Sequence, residues 1–213
     1  MNILQSTEKW TERAARVINS AVCFCLAYIT VTLAFWFSMS GTAAFFKFNS
    51  FVYYYGIRIL LNNGRWDRLN VTLIFSTGPI VALIIGLLGA FLFSQLKHIK
   101  SILNVYFTWL FVIGCTVFST QGVISSLGAG EYNSPFYQNF AVALAWWRIP
   151  KAGVYLLNIP FAAVFLFFAT NYPRLFLQFA YSYTKVNKLS RKRKYYMDIA
   201  LVPFLIGLVV VTA

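Results

Sequence analysis

Long apolar runs alternate with short polar segments along this chain. Five runs have the apolar character of a helix that crosses a bilayer, which needs about 20 mostly apolar residues. They cover residues 17–39, 71–93, 105–127, 153–172 and 199–213. The last run is short, so either it crosses a thin region of the bilayer or the natural chain continues beyond Ala213. The pattern predicts an all-α, polytopic integral membrane protein with five transmembrane helices in a single membrane domain, 1–213.

Two other apolar stretches are too interrupted or too short to be clear spans. Residues 43–61 are apolar and aromatic, but Lys47 and Arg58 lie inside the run. We interpret this stretch as an interfacial or re-entrant helix, and a sixth, amphipathic span is the alternative. Residues 135–150 are bounded by two prolines and are too short to cross, so we predict a re-entrant or surface helix there.

Two prolines are expected to interrupt helices. Pro79 follows Gly78 near the start of the second run and lacks a backbone donor, so we expect a bend or an unwound turn there. Pro173 follows the fourth run, and a residue that precedes proline disfavours the helical conformation. We therefore expect the fourth helix to end at this point.

Composition supports the membrane interpretation. Hydrophobic residues make up 60% of the chain and charged residues 11%, whereas soluble domains have about 45–50% and about 25%. This balance excludes a soluble enzyme, a disulfide-stapled secreted domain and a disordered chain. The three cysteines lie within apolar runs, which favours packing roles over disulfides.

The charges predict how the chain is threaded. There are 18 Lys and Arg residues against 5 Asp and Glu, a net charge of +13. Five spans place twelve of these cations on the N-terminal side and six on the other. Cytoplasmic loops carry the excess of Lys and Arg. We therefore predict a multi-pass protein of the cell membrane, in a bacterial inner membrane, with the N-terminus and the basic segment 174–197 in the cytoplasm. A sixth span would put these two regions on opposite sides.

The basic segment also predicts a partner. Its cations suit contact with the lipid bilayer and anionic lipid headgroups, each contributing about 1 kcal/mol near the surface, and we expect no nucleic acid. The residues concerned are Lys185, Lys188, Arg191, Lys192, Arg193 and Lys194.

Small residues recur at helical spacing in two of the runs. In the second run they form a stripe where the backbone of another helix can approach closely. In the third run they form a small, partly polar face that is either a seam between helices or the wall of a wet cavity. The two sets are Gly78, Ala82, Gly86 and Ala90, and Cys115, Ser119, Gly122 and Ser126.

Chemistry-bearing residues are few. Asp67 lies between Arg65 and Arg68, and these three residues with Gln121 and Asn158 form our candidate polar site. The alternative is that Asp67 makes only a structural ion pair. The five carboxylates are expected in loops or at span ends, away from the membrane interior where ion-coupled transport keeps such groups.

No known catalytic or metal-binding pattern is found. The single histidine cannot supply a zinc or haem site alone, and the sequence lacks the zincin, nucleophile-elbow and P-loop motifs. We therefore predict no catalytic residue, metal or cofactor. The leading hypothesis is a non-catalytic structural or accessory subunit of an inner-membrane assembly, associating with other membrane subunits or with itself. The alternative is a small-molecule or lipid transporter, and an embedded enzyme is the weakest hypothesis.

Overall fold

The fold is almost entirely helical. A computed structural model describes residues 2–53, 56–60, 66–96, 102–128, 139–183 and 189–212. The helices are α1 (Asn2–Phe45), α2 (Arg68–Leu96), α3 (Ile102–Gly128), α4 (Phe140–Trp146), α5 (Lys151–Tyr183), α6 (Leu189–Tyr196) and α7 (Val202–Thr212). Two strands, β1 (Ser50–Tyr53) and β2 (Gly56–Ile59), follow α1, and a π-helical turn, Met197–Leu201, joins α6 to α7.

Five helices in the described ranges are long and apolar enough to cross a membrane, as the hydrophobic pattern predicts. They are Thr11–Phe45, Arg68–Leu96, Ile102–Ser125, Lys151–Leu177 and Arg193–Thr212. Each begins two to six residues before its apolar run, because the residues that precede the run continue the helix. Between 33% and 50% of the most apolar stretch is buried in four of these helices, but only 6% in Lys151–Leu177.

Beyond the end of α1 at Phe45, the described part of 43–61 is not helical, so neither the predicted helix nor the alternative sixth span is present. After α1 ends at Phe45, β1 and β2 pair antiparallel, with Ser50 opposite Ile59 and Tyr53 opposite Gly56. Aromatic and β-branched residues dominate these strands, and such side chains suit a pleated, half-buried surface. A hairpin of two four-residue strands cannot cross a bilayer.

The hairpin is tied to the end of α1 by a C-terminal capping motif. Lys47 adopts a left-handed backbone conformation, with φ 64°. The Phe48 N–H donates to the Ala43 carbonyl and the Lys47 N–H to the Ala44 carbonyl, each at 2.9 Å, which is the Schellman pattern. Phe48 then packs with Ala43 and Ile74 in a buried cluster, and the Trp66 ring lies 4.1 Å from the Phe48 ring. This cluster links α1, the hairpin and the start of α2.

Two helices continue through proline. α2 includes Pro79 with no unwound turn, so of the two expected outcomes the bend stays a prediction. α5 passes Pro173 and ends only at Tyr183, so the expectation that the fourth helix ends at Pro173 is wrong. Contacts beside Pro173 stabilise this course, because the Tyr172 hydroxyl donates to the Val112 carbonyl at 3.2 Å and its ring packs edge-on against Phe111. Proline is tolerated in such helices where neighbouring groups compensate for the lost hydrogen bond.

The shorter predicted helix is present. Within 135–150 the described part begins at Asn139 and contains α4, only seven residues long. Asn139 precedes α4 with φ 48° and does not cap it. Its side-chain amide instead donates to the side-chain oxygen of Gln121 of α3 at 2.7 Å, so α4 is attached to α3 through a partly buried amide pair.

The chain divides into two compact units. The first contains Met1–Ile29, Leu88–Val112 and Ala169–Ala213, and the second contains Thr30–Leu87 and Ile113–Phe168. Trp109 is buried at the centre of the first unit, with the rings of Phe24 and Phe176 at 5.0 and 4.9 Å. The single membrane domain remains a prediction.

The second unit is held together by a close approach of α2 and α3. An ideal Cβ on Gly114 of α3 would lie 2.8 Å from both Cα and N of Gly86 on α2, and would collide with the Ala82 carbonyl oxygen. A Cβ on Gly86 would lie 3.1 Å from the Cys115 nitrogen. Since these neighbours are backbone atoms, they cannot move aside as a flexible side chain can. The two helices are in backbone contact.

Gly114→Ala should therefore destabilise the protein. Overpacking of a tight contact costs about 1–3 kcal/mol, and we expect a lower thermal midpoint in detergent. The matched control is Gly41→Ala in α1, where a new Cβ meets nothing within 4 Å and alanine gains helix propensity of about 1 kcal/mol. Equal stability of the two variants would refute the backbone contact.

Candidate functional site

A surface cavity in the second unit is the best-defined candidate site. Its volume is about 440 Å³, and the described residues that line it are Asp67, Arg68, Ala145, Trp146 and Arg148. We call it the arginine pocket. Asp67 and Arg68 come from the start of α2, and the other three residues come from the end of α4 and the turn after it. Both arginines are exposed, so the pocket is accessible to a ligand from outside.

Asp67 has a structural role in this pocket. Its Oδ1 accepts a hydrogen bond from the Asn70 N–H at 2.8 Å, and the Asn70 side-chain oxygen accepts the Asp67 N–H at 3.0 Å. This reciprocal pair is a capping box at the N-terminus of α2. One oxygen of the carboxylate is therefore committed to the helix end.

Trp147 connects the end of α4 to the N-terminal part of α2. Its indole N–H donates to the Thr72 hydroxyl at 2.8 Å. The Arg68 guanidinium lies 5.9 Å from the centre of the Trp147 ring, within the range of a cation–π interaction. These contacts bring Arg148, the next residue in the chain, to the same cavity as Arg68.

Arg148 was missed by the sequence reasoning. It lies in the left-handed region, with φ 53°, directly after α4, where its N–H donates to the Ala145 carbonyl at 3.0 Å. Glycine or asparagine is usual at such a position, so the sequence gives little sign of it. The nearest signal is the Trp-Trp-Arg run that ends two residues before Pro150.

The structure assembles only part of the predicted polar site. Arg68 and Asp67 line the pocket, whereas Arg65 lies outside the described residues. Gln121 is elsewhere, bonded to Asn139. Asn158 is half-buried on α5 and is not among the lining residues. The chemistry of the pocket is therefore set by two arginines and a capping carboxylate.

The predicted packing residues lie mostly within the chain's own helix contacts. Gly78 faces α1, since a Cβ there would be 2.9 Å from Met39 Sδ. Ala82, Cys115 and Ser119 are fully buried. Ala90 is half-buried.

The second face, on α3, shows the same behaviour. The Ser119 hydroxyl donates to the Cys115 carbonyl at 2.7 Å, so it is satisfied by its own helix. A Cβ at Gly122 would collide with the Phe161 ring of α5. The side chain of Ser126 is outside the described part.

The basic segment 174–197 is not a long loop. α5 extends to Tyr183 and α6 begins at Leu189, so helices occupy most of it. Lys185 and Lys188 lie outside the described residues, as do the side chains of Arg191 and Lys192. Arg193 and Lys194 are exposed near the end of α6.

An ion pair in the first unit, with a buried carboxylate and a partly exposed arginine, was also missed. Asp198 lies in the π-helical turn and is 3% exposed. Arg13 Nε is 2.9 Å from both of its carboxylate oxygens, and Arg13 Nη2 is 2.7 Å from Oδ1. Asp198 lies near the start of the helix Arg193–Thr212, as expected for a carboxylate at a span end, but its burial was not expected. The partners are 185 residues apart, and a single sequence gives no sign of such a pairing.

A second polar contact lies beside this pair. The Ser20 hydroxyl donates to the Ile199 carbonyl at 2.5 Å and accepts the Trp109 indole N–H at 3.0 Å. A π-helical turn interrupts the regular hydrogen-bond pattern, and Ser20 satisfies one of its carbonyls. The start of the last span is thereby attached to both α1 and α3.

Known proteins give no guide to the use of either site. No protein-family model, curated protein or solved structure matches the chain. Among the described residues, no three or more His, Cys, Asp or Glu side chains are grouped so that they could hold a metal ion.

The ion pair predicts that two substitutions, each of which replaces a charged partner with an uncharged residue, lower the free energy of unfolding by different amounts. Removing one partner of a buried pair costs about 3–5 kcal/mol, but the Arg13 side chain is 34% exposed whereas Asp198 is 4% exposed. Arg13→Gln leaves a carboxylate in a dry site and should lower the free energy of unfolding by about 3 kcal/mol. Asp198→Asn leaves an arginine that water can reach, and should cost less. Chemical denaturation in detergent measures both, and a larger loss for Asp198→Asn would contradict this account.

Proposed function

We propose that this protein is a non-catalytic multi-pass membrane protein, a structural or accessory subunit of a bacterial inner-membrane assembly. The observation that carries the proposal is the surface of α5. Only 6% of its most apolar stretch is buried, against at least 33% in each of the other four membrane-length helices. A helix within a bundle normally buries one face against its neighbours, and α5 buries very little within this chain.

The exposed surface of α5 suits contact with another membrane helix. Its large exposed residues recur three or four positions apart, which places most of them on one side of the helix. They are Tyr155, Leu156, Ile159, Leu166 and Phe167. Ala163 is exposed on the same side, and small residues allow close helix approach in a membrane. By contrast, Gly78, Ala82 and Gly86 are used inside the chain and are not offered to a partner.

The ion pair supports the threading that the charges predict. Arg13 contacts Asp198, so the start of α1 lies beside the start of the last membrane-length helix. An even number of crossings, here the first four of the five spans, returns the chain to its starting side in this way. Because twelve of the 18 cations then fall on that side, the positive-inside rule assigns it to the cytoplasm.

The alternative role, transport or handling of a small molecule or lipid, is favoured by one observation, the arginine pocket. The polar face of α3 gives it little support. Ser119 and Thr120 bond to carbonyls of their own helix, and Gln121 bonds to Asn139. The hydroxyl donors of Ser119 and Thr120 and the side-chain oxygen of Gln121 are therefore already engaged, which leaves fewer groups for a passing solute.

The subunit proposal predicts cross-linking through α5. In a variant in which Cys23, Cys25 and Cys115 are replaced by alanine, Ala163→Cys carrying a thiol-attached photoreactive group should form a discrete covalent adduct when native membranes are illuminated. The matched control is Val209→Cys on α7. Val209 is 66% exposed but does not lie on α5. The readout is the mass of the adduct, which equals twice the chain mass for self-association and another fixed mass for a different partner.

Two results would count against the proposal. If Ala163→Cys stays uncross-linked while the protein is folded and membrane-bound, α5 faces lipid alone. If both positions give the same ladder of adducts, the collisions are random and α5 has no specific partner.

A further inference from the structure

We propose that the arginine pocket binds the phosphate of a phospholipid headgroup. Two guanidinium groups line a cavity of about 440 Å³, a size within the range of about 300–1,000 Å³ that small-molecule sites occupy. Arginine presents a planar fork of N–H donors that matches the oxygens of a phosphate. The chemistry of the lining therefore selects an oxyanion.

Arg68 occupies a position that helix energetics disfavour. It is the first residue of α2, and the N-terminal end of a helix carries partial positive charge. An acidic residue is favoured there, and a cation is opposed by the helix dipole. A bound phosphate would reverse this relation, because it would be attracted by both the guanidinium and the helix end.

Arg148 breaks a second local rule at the same cavity. It has a left-handed backbone, φ 53°, at a helix C-terminus where glycine is the favoured residue. Glycine there would be easier to accommodate but would have no guanidinium. Two residues that each oppose local stability and that meet at one cavity indicate a binding role.

The location of the pocket favours a lipid as the source of the phosphate. Arg68 begins one membrane-length helix, and Arg148 lies three residues before Lys151, which begins another. Trp146 and Trp147 are 38% and 51% exposed beside it, and exposed tryptophans typically lie at the level of lipid headgroups. The pocket therefore lies at the ends of two spans, where headgroup phosphates are concentrated.

Asp67 lowers the positive charge of the pocket without removing it. Its carboxylate is the one acidic group among the described lining residues, against two guanidiniums. Asparagine caps a helix as well as aspartate does, so Asp67→Asn should keep the helix end and remove the repulsion of an anion. Asp67→Asn should therefore strengthen the binding of an anion, whereas loss of either arginine should weaken it.

The test is lipid binding to the purified full-length protein, measured by native mass spectrometry from detergent. The probes are phosphatidylglycerol, phosphatidylcholine and inorganic phosphate. We expect Arg68→Gln and Arg148→Gly each to weaken the binding of phosphatidylglycerol about tenfold, because each removes a charge-assisted hydrogen bond. We expect Asp67→Asn to strengthen the binding of phosphatidylglycerol. The control is Arg58→Gln. Arg58 is an exposed arginine on β2 that is not among the lining residues, so this substitution should leave lipid binding unchanged.

The same set of variants contains a control for loss of folding. Arg148→Gly suits the left-handed backbone, so its thermal midpoint should equal or exceed that of the parent while its lipid binding falls. Unchanged phosphatidylglycerol binding in both arginine variants would overturn the proposal. Equal loss of binding in Arg58→Gln would also overturn it, since the contact would then be a general charge effect. Displacement of the lipid by inorganic phosphate at equal concentration would show that free phosphate is the ligand.

The pocket proposal does not depend on a protein partner. It is tested on the isolated chain, whereas the α5 proposal is tested in native membranes. Either can therefore fail while the other holds.

Discussion

The ion pair between Arg13 and Asp198 constrains the course of the whole chain. A carboxylate that is 3% exposed needs a counter-charge, and the one it has comes from the first helix. The beginning of α1 and the beginning of the last membrane-length helix must therefore lie together, with the Ser20 and Trp109 contacts beside them. In the proposed threading, this proximity requires an even number of crossings between the two points. The pairing of β1 with β2, in place of a further membrane-length helix, agrees with that number.

Much of the helical architecture is predictable because it follows from the average hydropathy of each segment. Each membrane-length helix has an apolar run that hydropathy identifies, and a seven-residue helix appears where the run is too short to cross. The structure differs from the prediction where individual side chains, which an average hydropathy does not resolve, decide the local conformation. The β-branched and aromatic residues of 50–59 pair as strands, Tyr172 anchors α5 beside Pro173, and polar caps extend the helices beyond their apolar cores.

The candidate sites are less predictable because they depend on pairs distant in sequence. Asp67 and Arg68 stand out as charges beside a turn, but Arg148 joins them only because Trp147 bonds to Thr72. The stripe at Gly78, Ala82 and Gly86 is visible in one helix, yet its facing residue, Gly114, becomes apparent only when α3 is in place. The stripe is therefore used in contacts within this chain, and the surface that we propose for a partner is on α5.

The threading of the chain is tested most directly by labelling single cysteines with a membrane-impermeant thiol reagent, in intact cells and in inverted vesicles. Three positions in a cysteine-free background suffice: Asn2→Cys, Lys194→Cys and Arg58→Cys. The account predicts that residues 2 and 194 react only in inverted vesicles and residue 58 only from outside the cell. Labelling of residues 2 and 194 from opposite sides would contradict the five-span arrangement and the pairing of the chain ends on which it depends.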